Sequence, residues 1–181
     1  HKRANLYVSY LVFWYIFNTM LRTALSALVL GILFILSCQN KEVQTSSEVK
    51  DLIPKSRYAM LIVESESCIY CKQLDKDLKN NPKLKSAVEG VDVLRLLAES
   101  NARVRYKIDG KEGETTEEEL ARALNVRAYP HIIFYDSKGN IVLRIPGYAP
   151  PKTLACAVEY VKNELYNKEE LNQYLRKENC I

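Results

Sequence analysis

Two cysteines separated by two residues, in Ser67-Cys68-Ile69-Tyr70-Cys71-Lys72, are the residues whose type and spacing most directly suggest chemistry. An apolar run, Tyr58–Val63, precedes them, and a charged amphipathic segment, Lys72–Lys79, follows. If the first is a strand and the second a helix, Cys68 stands at the helix N-terminus. Unpaired backbone N–H groups and the helix dipole there favour a thiolate over a thiol. A cysteine so placed drops from a pKa of about 8.5 into roughly the 3.5–7.5 range. Cys71, one turn later on the same face, can close a disulfide with it. The expected chemistry is dithiol–disulfide exchange.

Other chemistries find less support. The five cysteines are 38, 68, 71, 156 and 180, and no second C-x-x-C exists. The only histidines are His1 and His131, so no four-ligand zinc pattern can be assembled from the motif. Lys72, not His, follows Cys71, which breaks the c-type haem attachment pattern. Two soft thiolates could hold Cu(I), but no His or Met partner stands near them in the sequence. No cofactor and no metal are therefore expected beyond the redox-active disulfide. The net charge of +4 comes almost entirely from the first 37 residues, which hold three basic residues and no acid. From Cys38 onward the chain is close to neutral, so charge offers no case for nucleic acid as a partner.

The amino-terminal region reads differently from the rest. Residues 20–37 combine a basic start at Arg22 with an apolar run that ends in Ile35-Leu36-Ser37-Cys38, the pattern of a secretory signal. This ending resembles a bacterial lipoprotein box, which implies cleavage before Cys38 and lipidation of its sulfur. The competing reading is a retained membrane anchor, although Ala24–Leu36 is short for a span. Residues 1–19 read either as translated upstream sequence before Met20 or as a first membrane helix, although the twelve apolar residues Leu6–Phe17 are too few to span alone. Residues 38–55 read as a flexible tether, and residues 56–181 as one domain.

Within that domain the patterns predict a buried strand over Tyr58–Val63, a helix from Cys68 to about Asn80, and a short helix opened by Pro82 and closed by Gly90. A strand over Val91–Leu97 follows. The polar stretch after it holds a short hairpin with Val104–Ile108 as one arm. Thr116-Glu117-Glu118-Glu119 opens a helix over Glu117–Leu124. His131–Tyr135 and Ile141–Ile145 flank a Gly139 turn as antiparallel strands. Two helices, about Lys152–Tyr166 and Lys168–Lys177, complete the chain. The acids 117–119 read as favourable charge at a helix start, not as catalysts. His131 reads as a packing or hydrogen-bonding residue.

This order resembles the thioredoxin fold over about residues 56–165. The resemblance rests on the C-x-x-C-Lys turn, on Val126-Arg127-Ala128-Tyr129-Pro130 before a strand, and on the hairpin followed by Arg144-Ile145-Pro146-Gly147-Tyr148. It implies an α/β fold: a central mixed sheet flanked by helices, an insertion near 99–116 before a cis-Pro130 strand, and an extra C-terminal helix. Within the family the chain looks most similar to periplasmic SoxW-like thiol–disulfide interchange proteins. The resemblance then implies an enzyme, a protein-disulfide oxidoreductase of the bacterial periplasm held at the membrane by its lipid. Cys68 would be its nucleophile and Cys71 its resolving thiol, with Pro130 and the backbone of Tyr129 at the substrate. Protein thiols or disulfides and a membrane electron donor or acceptor would be its partners. Reduction is the favoured direction. The alternative is a thioredoxin-fold binding lipoprotein, for a metal or a partner protein, without redox turnover. A disulfide isomerase is a lesser option, as no separate dimerisation domain is visible.

Three readings stay open at this level. Tyr70 is either a substrate contact or an exposed aromatic. Cys156 and Cys180 either form a structural disulfide or are unrelated thiols. Where the family keeps a buried acid six residues before the first cysteine, this chain has Ile62, so the proton acceptor for Cys71 falls to Glu64, Glu66, Lys72 or water.

Overall fold

A computed structural model describes residues 9–22 and 48–181, in two units divided between Ser46 and Ser47. The first unit contributes one helix, α1 (residues 9–22), whose Tyr10, Phe13, Trp14 and Phe17 are exposed. Cys38, the signal segment beyond Arg22 and the tether up to residue 47 lie outside the described residues. No helix among the described residues is long and apolar enough to cross a membrane.

The second unit runs β1 (Lys50–Asp51), β2 (Tyr58–Glu64), α2 (Ile69–Asn80), α3 (Pro82–Ala87), β3 (Asp92–Leu97), β4 (Arg103–Ile108), β5 (Lys111–Thr116), α4 (Glu117–Ala123), β6 (His131–Asp136), β7 (Ile141–Pro146) and α5 (Pro151–Lys162). A 3-10 turn (Leu165–Asn167) and α6 (Leu171–Lys177) end it. The main sheet has the order β3-β2-β6-β7. Strand β2 pairs parallel with β3 and antiparallel with β6, so that Leu61 lies between Leu94 and Ile133. Alternation along β2 sends its side chains to two cores. Tyr58, Met60 and Ile62 join Leu74, Leu84, Leu154 and Val158 of the α2, α3 and α5 layer. Ala59, Leu61 and Val63 join Val104, Ile108, Leu120 and Leu124 on the other side. Each fully buried Leu or Ile contributes roughly 1.5–3 kcal/mol. The continuous apolar run is therefore the sequence signature of a strand covered on both faces.

The insertion forms more than a hairpin. β4 and β5 pair antiparallel, and β1 adds to β4 in parallel, giving a second sheet of order β1-β4-β5. This corrects the tether reading for residues 50–55, which join the folded domain ahead of residue 56. Leu52 is fully buried, its carbonyl accepts a hydrogen bond from Tyr135 Oη (2.6 Å), and Lys50 Nζ pairs with Glu117 Oε2 at 3.0 Å. A two-residue strand has no period to read, which is why composition alone assigned it to a linker. The second sheet abuts the β6–β7 turn at Gly139. There φ is +86°, and a Cβ would meet the Lys107 carbonyl oxygen at 2.5 Å. Asp109 N–H donates to the Gly139 carbonyl (2.8 Å) across the same junction.

At the carboxyl end, α5 is shorter than the periodicity predicts. It ends at Lys162, and Glu164 adopts a left-handed backbone (φ +55°) before the 3-10 turn. α6 likewise starts at Leu171, not at Lys168. Cys156 on α5 and Cys180 after α6 form a disulfide with Cα atoms 6.4 Å apart, inside a small cluster with Leu175. Both cysteines are buried. Closing a loop of 24 residues' separation restricts the unfolded chain by about 3 kcal/mol in the chain-entropy account. Cys180→Ser is therefore expected to lower the unfolding free energy by about 2–4 kcal/mol and to raise amide exchange in α6 first. Denaturant titration with exchange mass spectrometry would check this. An unchanged midpoint would remove the structural role.

Candidate active site

The two sulfurs stand where β2 hands over to α2. The turn Ser65–Ser67 is tied to the loop after β3, because Ser65 Oγ donates to Glu99 Oε1 and Glu66 N–H donates to Glu99 Oε2. Cys68 is the N-cap of α2, with extended backbone (φ −79°, ψ 103°), and its Sγ accepts a hydrogen bond from the Cys71 N–H at 3.1 Å. That bond satisfies one of the donors every helix start leaves unpaired. In the reduced state the same N–H and the helix dipole would stabilise a thiolate at Cys68. Here Cys68 and Cys71 are joined as a disulfide, with Cα atoms 5.2 Å apart. Cys68 is half-buried and Cys71 is buried, 5% exposed, so an incoming molecule reaches Cys68 first.

Pro130 lies at the end of the neighbouring strand. His131 is in register with Val63, which puts Pro130 beside Glu64, at the entry to the cysteine turn. The Tyr129–Pro130 peptide bond is cis, and the Pro130 carbonyl accepts from Gly147 N–H (2.8 Å). Tyr129 is half-buried against the second core and lines a cleft of about 210 Å³ with Ala98, Glu118, Ala121, Arg122 and Val126. Tyr70 is 58% exposed, yet its ring stacks on Tyr148 (centroids 5.8 Å apart, 27° between planes). Tyr148 Oη donates to Asp77 Oδ2 (2.5 Å) on α2. Burial and this hydrogen bond push the Tyr148 phenol up to about 12, which keeps it a donor. Tyr148 and Asp77 thus fix the aromatic ring that sits between the cysteines. The sequence shows Tyr148 only as part of the resemblance and gives no sign of its contacts with Tyr70 and Asp77, since Tyr148 lies 78 positions after Tyr70 and no local pattern joins them.

Ile62 is fully buried in the core shared with α2 and offers no proton acceptor there. Glu64 follows two residues later on the same face of β2. Its carboxyl is half-buried and held above the usual carboxylate range by burial, partly offset by Arg95. Arg95 pairs with Glu64 and also lies 2.6 Å from Asp75 Oδ1, a charge contact without hydrogen-bond alignment. Asp75 sits one turn beyond Cys71 on α2. Glu66, by contrast, is exposed. Arg95 was not singled out in the sequence, where it reads as one charge in an apolar strand.

The acid cluster after Thr116 divides by role. Glu117 is 4% exposed and accepts from Leu97 N–H (2.7 Å), Lys50 Nζ (3.0 Å) and Ser100 Oγ (3.2 Å). It is a satisfied buried carboxylate that pins β3, β1 and the next loop to α4. Among the described residues no group of three or more His, Cys, Asp or Glu side chains gathers closely enough to hold a metal.

His131 is 7% exposed and neither ring nitrogen has a hydrogen-bond partner, so it packs without bonding. Burial and the nearby Arg144 hold its pKa below the ordinary 6.5. In the unfolded chain the imidazole regains its ordinary value and binds more protons, so stability must fall as pH drops below about 6.5. Glu64, held up, acts in the opposite direction. The expected result is lower stability at pH 5.5 than at pH 7 in the native protein and a flatter dependence in His131→Leu. Denaturant melts at both values check this. Equal slopes in the two proteins would refute it.

A sequence profile described as a thioredoxin-like domain matches residues 45–162. A thioredoxin-fold protein from Helicobacter pylori is similar in structure, with 25% identity and a TM-score of 0.66 over 74% of this chain and 91% of that one. A thioredoxin from Thermus thermophilus is similar at 23% identity and a TM-score of 0.45, over 59% of this chain and 74% of that one. The periplasmic thioredoxin SoxS from Paracoccus pantotrophus is similar at 14% identity and 0.43, over 60% and 98%. No curated protein matches the chain.

Proposed function

From the premise that the chain belongs to the thioredoxin-like domain family, we propose that it is a thiol–disulfide oxidoreductase that reduces disulfides of exported proteins through Cys68 and Cys71. One observation carries this reading. The more accessible sulfur caps a helix and accepts that helix's N–H, while the buried sulfur lies one turn inside, within bonding reach.

The steps follow from that geometry. The Cys68 thiolate attacks one sulfur of a substrate disulfide. The substrate S–S bond breaks, its other sulfur leaves as a thiolate and takes a proton, and a mixed disulfide forms at Cys68. The Cys71 thiol gives up its proton, and its sulfur attacks Cys68. The second substrate thiolate is released, and the Cys68–Cys71 disulfide remains. Two electrons have passed to the substrate, and a dithiol or other two-electron donor must return them. Glu64 is the proposed proton acceptor for Cys71. Its raised pKa brings it nearer neutrality, and it communicates with α2 through Arg95 and Asp75. The cis-Pro130 edge and the backbone of Tyr129 would align the substrate chain, and Tyr70, held by Tyr148, would contact it.

Cys68→Ser should abolish reduction of insulin or oxidised glutathione with the fold intact, and Cys71→Ser should trap the mixed disulfide. Full activity in Cys68→Ser would sink the assignment and favour a binding role. Glu64→Gln should slow the Cys71 step and shift its pH profile, leaving the first attack unchanged. Titration against a glutathione buffer sets the direction: a potential near that of thioredoxin, about −270 mV, supports a reductase, and a far more oxidising one opposes it.

The cellular setting is proposed with the same reading. Cys38 carries a lipid, residues 20–37 are its signal peptide, and the domain works in the bacterial periplasm as a SoxW-like interchange lipoprotein served by a membrane electron donor. Labelled palmitate should enter the native protein and not Cys38→Ser, which should leave the membrane fraction. Labelling of both would exclude Cys38 as the site.

A further inference from the structure

We infer that the outer face of α2 is a docking surface for an acidic segment of the protein whose sulfurs react at Cys68. The inference rests on the redox reading above and adds the chemistry of the partner. Ile69, Lys72, Lys76 and Lys79 are spaced by three, four and three residues, so they form one stripe along the helix. All four are exposed, Ile69 by 74%, and Tyr70 beside them by 58%.

The charges of α2 are sorted by direction. None of the three lysines takes part in an ion pair among the described residues. Asp75 stands three residues after Lys72 and four before Lys79, the spacings at which helical ion pairs form. It lies against Arg95 of β3 instead, at 2.6 Å. Asp77 accepts from Tyr148 Oη (2.5 Å) and from Gln73 Nε2 (2.9 Å). Both acids on the helix are thus engaged by the body of the domain or by their own helix, and the three cations face solvent unpartnered. The segregation is local, because the body as a whole is close to neutral.

The stripe also has a polarity along its length. It begins with the apolar Ile69 and Tyr70 next to Cys68 and continues as a positive rail over roughly 10 Å from Lys72 to Lys79. The exposed Glu66 stands before Cys68, so negative charge marks the other side of the sulfur. A partner loop with an apolar residue near its reactive sulfur and two or three carboxylates beyond it fits this order. Such charges chiefly raise association rates and select among partners. A membrane surface fits less well, since laying this face on lipid would cover Cys68.

The test uses the full-length protein and two peptides of equal length. Each has Ser in place of its reactive Cys, and one carries three Glu and the other three Lys on the same side. Fluorescence anisotropy should show the acidic peptide binding the native protein at least about tenfold more tightly at low salt, with the difference lost near 0.5 M salt. Lys76→Gln/Lys79→Gln should lose that preference, and Lys76→Glu/Lys79→Glu should reverse it. Thermal melts would verify that both variants are folded. Equal binding of the two peptides, or a preference unchanged in the variants, overturns the inference. Tighter binding through the same lysines to phosphatidylglycerol vesicles than to the acidic peptide also overturns it. The corresponding cystine peptides then report on turnover. A binding preference without turnover counts against the redox reading and not against the surface, whereas turnover of both at equal rates counts against the surface alone.

Discussion

The structure depends on one strand that must be hidden from water on both faces. Tyr58–Val63 carries no polar side chain except the Tyr58 hydroxyl, and all six residues are buried. Helices α2, α3 and α5 cover one face, and α4 with the second sheet covers the other. Its two edges are occupied by β3 and β6. A strand so enclosed has one free direction, its carboxyl end, and the chain emerges there through Glu64–Ser67 into the cysteine helix. The same constraint that stabilises the core therefore delivers Cys68 to the surface and leaves Cys71 beneath it.

Polar groups near that end are arranged around the same layers. On the α2 side, Glu64, Arg95 and Asp75 form a charge chain between two strands and the helix. On the α4 side, Glu117 gathers donors from three segments. The difference between the two clusters is chemical. Glu117 has its hydrogen bonds filled and serves as a rivet. Glu64 bears a burial cost that Arg95 only partly offsets, which raises its pKa.

Much of the fold was legible because it is written in local patterns. The buried strand, the amphipathic helices, the Gly139 turn and the Thr116 cap each follow from periods or caps a few residues long. β1 escaped because two residues carry no period, and its partner β4 lies more than 50 residues away. The end of α5 escaped because Leu165 continues its apolar spacing, while the left-handed Glu164 breaks the helix one residue earlier.

By itself the sequence determined the Cys68–Cys71 spacing, the strand-to-helix setting that places Cys68 at a helix start, and the proline before β6, since these are properties of neighbouring residues and their backbone preferences. Only the tertiary structure decided which groups surround the sulfurs. Tyr148 reaches Tyr70, Arg95 links Glu64 to Asp75, and the lysines of α2 are left facing outward, because contacts between residues distant in the chain arise only when buried surfaces fix how the layers pack.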